Sequence, residues 1–228
     1  MAGRTYKQLL DLAVVNFEYF SDSIQNRGTA AMTIQPSGAP YLGNVSSKFG
    51  VIQRADTDSL VSSAGIDQFM TLTGSVTFEI IFQPIRVGSG SCVVMQHYGA
   101  SGGFRMFWDN SGNARVYLYL YDAAGALARS LTPSSAGVHP LTELSHVVLE
   151  STAGGTGGSM WTNGSVTTLT LAGAGVVANG PNATLNVAGG SSGRINTVCV
   201  RGWNTALSYE EAQLLYQNYR EYTRPSKV

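Results

Sequence analysis

The chain has 228 residues, 43% hydrophobic and only 12% charged, with 27 glycines. Its 14 basic side chains balance 14 acidic ones, so there is no cationic surplus to release counterions from a phosphate backbone, which argues against a nucleic-acid partner. No apolar run approaches the roughly 20 residues of a membrane-spanning helix, so no membrane span is expected; low charge with abundant glycine reads as a turn-rich β protein.

In chain order, Tyr6, Leu9, Leu10 and Ala13 recur at helical spacing, with Thr5 and Gln8 placed for a capping box. This predicts a short amphipathic arm over residues 1–13. Its stripe needs a surface, either the protein's own body or a neighbouring subunit; the arm is read as an assembly device carried by Tyr6, Leu9 and Leu10. Val15, Phe17 and Tyr19 then alternate with polar residues, as in a half-buried strand. Thr29 to Gly43 holds two prolines and reads as a short edge strand inside a long connection. Val51 to Ala55 begins the next strand, followed by Asp56-Thr57-Asp58. Two carboxylates at i and i+2 share one side of an extended chain, a calcium corner if backbone carbonyls join them, or else turn-forming aspartates.

Val76 to Phe82 is the clearest strand, with Val76, Phe78, Ile80 and Phe82 on one face and Thr77, Glu79 and Ile81 on the other; it is expected to lie centrally. After a strand at Cys92 to Gln96, Phe104 to Trp108 and Arg115 to Tyr121 flank the turn residues Asp109 to Asn113 and form a hairpin. Its second strand puts Val116, Leu118 and Leu120 on one face and Tyr117, Tyr119 and Tyr121 on the other. The tyrosine face, with Trp108, is the candidate face for a sugar or a protein partner, unless it merely covers a sheet edge or the terminal helix. Leu127 to Leu131 is a further short strand. His97, His139 and His146 show no metal spacing, and no metal site is assigned. Cys92 and Cys199 lie far apart in sequence and read as buried thiols; spacing does not say whether they meet.

Two β runs, Ala183 to Val187 and Ile195 to Val200, flank a glycine- and serine-rich turn and are expected to pair as a hairpin. Ser208 and Glu211 form a second capping box, and Ala212, Leu215, Tyr216 and Tyr219 give a short terminal helix one apolar stripe. The chain is therefore expected to divide into the arm at 1–13, one domain at 14–219 and a tail at 220–228.

The run Val200-Arg201-Gly202-Trp203-Asn204-Thr205-Ala206-Leu207-Ser208, with Glu210-Glu211 and Leu215-Tyr216, resembles the closing signature of laminin-G-like jelly rolls in the concanavalin A-like lectin/glucanase superfamily. His146 to Leu149 followed by Met160-Trp161-Thr162-Asn163-Gly164-Ser165-Val166 is similar to the family's central hairpin, and Leu185 to Gly190 to the strand after it. Lys48-Phe49-Gly50 and Ser75 to Ile80 resemble earlier strands. The likeness spans Val14 to Tyr219 and implies an all-β, two-sheet antiparallel jelly-roll sandwich. Ile195 to Trp203 is two residues longer than the pattern, which predicts a bulge.

The resemblance also sets the functional alternatives. Glycanases of that superfamily carry a Glu, an Asp and a second Glu along one strand; Asp56 and Asp58 are this chain's only acidic pair at i and i+2, so no enzyme activity is expected. A binding role remains: an accessory decoration or fibre component of a phage or virus particle, within an oligomer or assembly, or a carbohydrate-binding lectin-like module. The N-terminal MAGRTYKQ lacks the apolar core of a secretory signal. The expected location is thus the virion, or else the cytoplasm or the exterior by a non-Sec route.

Overall fold

The protein is described by a computed structural model covering residues 3–18, 26–30, 32, 34–45, 48–55, 58–62, 70–86, 91–109, 115–134, 139, 141–181, 183–189 and 193–223. Tyr19, Asp56, the turn at 110–114 and the turn tip at 190–192 lie outside these residues.

Helix α1 (Tyr6–Leu12) leads into β1 (Val15–Glu18), β2 (Ile34–Ser37), β3 (Tyr41–Val45), β4 (Lys48–Ile52) and β5 (Ser59–Ser62). The middle of the chain supplies β6 (Val76–Arg86), β7 (Ser91–Gly99), β8 (Gly102–Asp109), β9 (Arg115–Tyr121) and β10 (Leu127–Pro133). Then come β11 (Ser145–Ser151), β12 (Gly158–Thr162), β13 (Ser165–Thr167), β14 (Leu169–Ala172), β15 (Leu185–Gly189), β16 (Arg194–Trp203) and α2 (Tyr209–Thr223). The strands form two antiparallel sheets packed as a jelly-roll sandwich. The first runs β13-β12-β11-β6-β16-β4-β3, with β1 also on β16; the second runs β14-β10-β9-β8-β7-β15-β5-β2.

Period-2 patterning decides which side chains meet between the sheets. Val76, Phe78, Ile80 and Phe82 of β6 face Phe104, Met106 and Trp108 of β8 and Val116, Leu118 and Leu120 of β9 in one core. As expected, β6 is central, between β11 and β16. The proline-bearing stretch near residues 34–45 forms two edge strands, β2 on the second sheet and β3 on the first. Asn163 and Gly164 both have positive φ, +49° and +79°, the two-residue turn whose twist matches a hairpin, and they close β12 onto β13 through Thr162 and Ser165.

Three expectations change. The next strand ends at Ile52 instead of starting near Val51, because Asp58 holds the backbone N–H groups of Arg54 and Ala55 in a turn at 2.8 and 3.0 Å. The runs around residues 183–200 are not a hairpin: β15 pairs with β5 and β7 in the second sheet, while β16 pairs with β6, β4 and β1 in the first. A short polar connection between two β runs equally serves a crossing between layers, and local pattern does not distinguish the two. The bulge in β16 is present as a register shift between Thr197 and Cys199, and it brings both Val198 and Cys199 against Tyr219 and Ile81.

The third change concerns the arm. Both capping boxes form: Gln8 N donates to Thr5 Oγ1 and Glu211 N to Ser208 Oγ, each at 3.3 Å, and the reciprocal side-chain bonds are present. The stripe of α1, however, docks on its own chain. Leu9 and Ala13 are fully buried with Val148, Trp161, Trp203, Leu207, Ala212 and Leu215. Trp203 Nε1 donates to the Leu9 carbonyl at 2.7 Å, Arg4 pairs with Glu211, and Arg201 donates to the Tyr6 hydroxyl at 3.2 Å. Leu10 is half-buried. An arm read as docking on a neighbour is thus committed in cis, because Trp203, Trp161 and Val148 form an apolar patch on the first sheet that this helix and α2 cover.

Beneath the helices Glu79, Arg201 and His146 are buried together. Arg201 Nη1 donates to Glu79 Oε2 at 2.5 Å and Nε to Asn16 Oδ1 at 3.1 Å, while His146 Nε2 lies 2.8 Å from Glu79 Oε1. Burial works against ionisation of Glu79, but Arg201 and His146 more than offset it and hold its carboxyl below the usual range. Because the folded value is depressed, the stability it adds is present above the ordinary 4.5 and is lost as pH falls below it, with a slope of at most about 1.4 kcal/mol per pH unit.

Two predictions follow from this packing. Deleting residues 1–11 is expected to lower the melting temperature by several degrees with the solution mass otherwise unchanged, since it strips Trp203 of its cover; a loss of assembly at unchanged melting temperature would contradict cis docking. Denaturant titrations between pH 5 and 3 are expected to show a shallower acid loss for Glu79→Gln than for the wild type, and parallel profiles would remove Glu79 as the acid-sensitive group.

Candidate functional site

The two outer surfaces of the sandwich differ. Both helices pack on the first sheet, whereas among the described residues neither lies on the outer face of the second. There the register of β7, β8, β9 and β10 aligns outward side chains in rows. Val93, Phe107 and Tyr117 form one row. Asn186, Gln96, Arg105, Tyr119 and Ser130 form the next, crossing five strands. Tyr98, Gly103 and Tyr121 form a third. A polar row therefore runs between two aromatic ones.

The aromatic rows are organised by contact. Phe107 stacks on Tyr117 with centroids 5.3 Å apart and planes 13° from parallel, and meets Tyr119 edge-on at 4.7 Å. These are the preferred offset and T-shaped arrangements. Tyr98 and Tyr121 approach to 4.2 Å across Gly103. Gly103 has φ +115°, and a Cβ there would meet the His97 carbonyl oxygen at 2.0 Å, so glycine is required at this position between the two rings.

Hydrogen bonds fix the polar groups. Arg105 Nε donates to Gln96 Oε1 at 2.9 Å, and its guanidinium carbon lies 5.8 Å from the Tyr98 ring centre. The Tyr117 hydroxyl donates to Asp109 Oδ2 at 3.1 Å. Burial, then this bond to a carboxylate, raises the Tyr117 phenol above its ordinary value. Burial also raises Tyr121, with Arg105 opposing it.

Of the four residues assigned to this face from sequence, Tyr117 and Tyr119 are half-exposed on it. Tyr121 shares the face but is covered, at 8% exposure, and Trp108 is not on it. Trp108 alternates in phase with Phe104 and Met106 and is buried in the core. Arg105 and Phe107 were legible from the same alternation, opposite to Trp108. Gln96 and Tyr98 were not, because only the pairing of β7 with β8 brings them there.

The metal expectation meets a different arrangement. Asp56 lies outside the described residues, and Asp58 is buried with its carboxylate accepting from the N–H groups of Ala39, Arg54 and Ala55. Burial would raise its pKa; those three donors bring it below the usual carboxylate range. Its oxygens thus hold a turn. Among the described residues no three His, Cys, Asp or Glu side chains gather as a metal site. His139 is buried and pushed down to about 4, His97 is buried, and His146 serves Glu79. Cys92 and Cys199 are buried in opposite sheets and form no disulfide.

Comparison with known proteins gives likeness of fold. No protein-family model and no curated protein sequence matches the chain. Among solved structures, it is similar to the receptor-binding domain of a botulinum neurotoxin C/D mosaic serotype (TM-score 0.71, 9% identity, 92% of this chain and 52% of that one). It is also similar to botulinum neurotoxin type C, described as interacting with two ganglioside molecules (TM-score 0.68, 8% identity, 92% and 52%). A third is the Trypanosoma rangeli sialidase in complex with the inhibitor DANA (TM-score 0.58, 13% identity, 89% and 32%). The chain spans about half the length of the toxin chains. At such identity these likenesses carry the jelly-roll sandwich and nothing finer.

The face assignment predicts opposite responses. Trp108→Ala is expected to cost about 3 to 5 kcal/mol in denaturant unfolding, and Tyr119→Ala about 1 kcal/mol, the value of its edge contact with Phe107. Equal losses would place Tyr119 in the core.

Proposed function

We propose that the chain is a non-catalytic binding module that holds a glycan on the outer face of its second sheet. The carrying observation is the asymmetry of cover: one outer face is closed by two helices, the other presents half-exposed Phe107, Tyr117 and Tyr119 beside a hydrogen-bonding row of Asn186, Gln96, Arg105 and Ser130. Flat rings offer apolar contact to the C–H face of a sugar, while the amide, guanidinium and hydroxyl groups match its hydroxyls. A toxin described as interacting with gangliosides, and a sialidase, both of like fold, support this reading, as does the resemblance to laminin-G-like domains. Asp109 stands in register with Arg115 and binds Tyr117, a position suited to holding the face rather than to hydrolysis, which needs two carboxyl groups flanking the bond.

The other reading, an accessory component of a virus particle, would bury the same face against a protein partner. The helical arm that suggested assembly is occupied within the chain, so the glycan reading has the stronger support. On a glycan array, the wild type is expected to retain at least one oligosaccharide class. Phe107→Ala and Tyr119→Ala are expected to weaken retention roughly tenfold each while melting within a few degrees of the wild type. A sugar-blind oligomer that dissociates on these substitutions would instead establish a protein-binding face.

A further inference from the structure

Resting on the glycan reading, we infer that the ligand carries a carboxylate and that Arg105 receives it. Arg201 binds Glu79 and Arg4 binds Glu211, Arg115 stands in register with Asp109, and half-buried Arg129 donates to the carbonyls of Gly173 and Gly175. Arg105 stands in the outward row, directly across from Tyr119. Among the described residues no carboxylate forms an ion pair with it. Its contacts are Gln96 through Nε, the Tyr121 hydroxyl and the ring of Tyr98, all neutral.

These contacts orient the guanidinium without neutralising it. A guanidinium has five N–H donors in a planar fork; the bond to Gln96 and the contact with Tyr121 leave donors of that fork to a ligand. Holding a cation partly out of water without a counter-charge costs free energy that an incoming carboxylate offsets, and the fork matches a carboxylate with two parallel bonds. The position is also right for a sugar. Arg105 lies directly across the ladder from Tyr119 and one row from Phe107, a step of about 7 Å along a strand. An acidic sugar unit at Arg105 therefore sets the neighbouring rings of the same oligosaccharide over Tyr119 and Phe107. The ligand class is an oligosaccharide bearing a sialic or uronic acid.

The test compares wild type, Arg105→Gln and Arg105→Lys on sialylated and uronic acid oligosaccharides, their neutral parents, sulfated counterparts and a polyglutamate peptide. The wild type is expected to bind one acidic class roughly tenfold or more tighter than its neutral parent at low salt, with the preference shrinking as salt is raised. Arg105→Gln is expected to abolish the acidic preference, lowering acidic binding by a larger factor than neutral binding, and Arg105→Lys to fall between. Which acidic class responds distinguishes the sialic from the uronic source. Equal binding of acidic and neutral sugars by the wild type, preference for sulfate over carboxylate, or an acid preference untouched by Arg105→Gln overturns the inference and leaves the glycan reading standing. Binding of polyglutamate in place of any sugar, or no binding by folded protein, overturns both.

Discussion

The ion pair between Glu79 and Arg201 constrains the rest of the molecule. Two charged side chains on adjacent central strands are withdrawn from water, and such a pair is tolerated only when its remaining donors and acceptors are satisfied. Asn16 on β1, His146 on β11 and Tyr6 on α1 provide those partners, so one electrostatic requirement recruits elements from both ends of the chain. The helices complete the enclosure: Trp203 and Leu9 lie together in one cluster, and His146 stacks on Tyr219 at 5.2 Å. A sheet carrying buried charge on its outer side has to be roofed, and here both helices form the roof.

That commitment accounts for the asymmetry of the sandwich. With both helices on the first sheet, the outer face of the second is left to solvent or to a ligand. A face meant only for solvent is usually polar along its strands. This one mixes the half-exposed rings of Tyr98, Phe107, Tyr117 and Tyr119 with a polar row. The rings support one another through stacked and edge contacts, and Tyr98 meets Tyr121 across Gly103. The rows are thus held in place before any ligand arrives, which lowers the ordering cost of binding.

Local signals in the sequence correspond to features that need only a few neighbouring residues. Both capping boxes, the Asn163-Gly164 turn, the alternation of β6 and β9 and the extra residue in β16 are of this kind. Each follows from backbone geometry or a hydrogen bond within a handful of positions. The errors share a different character. The β15 and β16 runs were paired with each other although they belong to opposite layers. Trp108 was placed on the ligand face although its phase with Phe104 and Met106 sends it into the core. The arm was assigned to a neighbour although its own chain supplies the patch.

By itself, then, the sequence determined an all-β sandwich with a capped helix near each end, and a strand whose alternate residues are tyrosines. Those are consequences of period, caps and turn chemistry, which act within one segment. Only the tertiary structure decided which sheet each strand joins, which outer face the helices close, and that Gln96, Arg105 and Tyr119 stand in one row. The physical reason is that strand pairing and burial are set by partners far away along the chain: the three residues of that row come from three different strands, and no local pattern encodes their meeting.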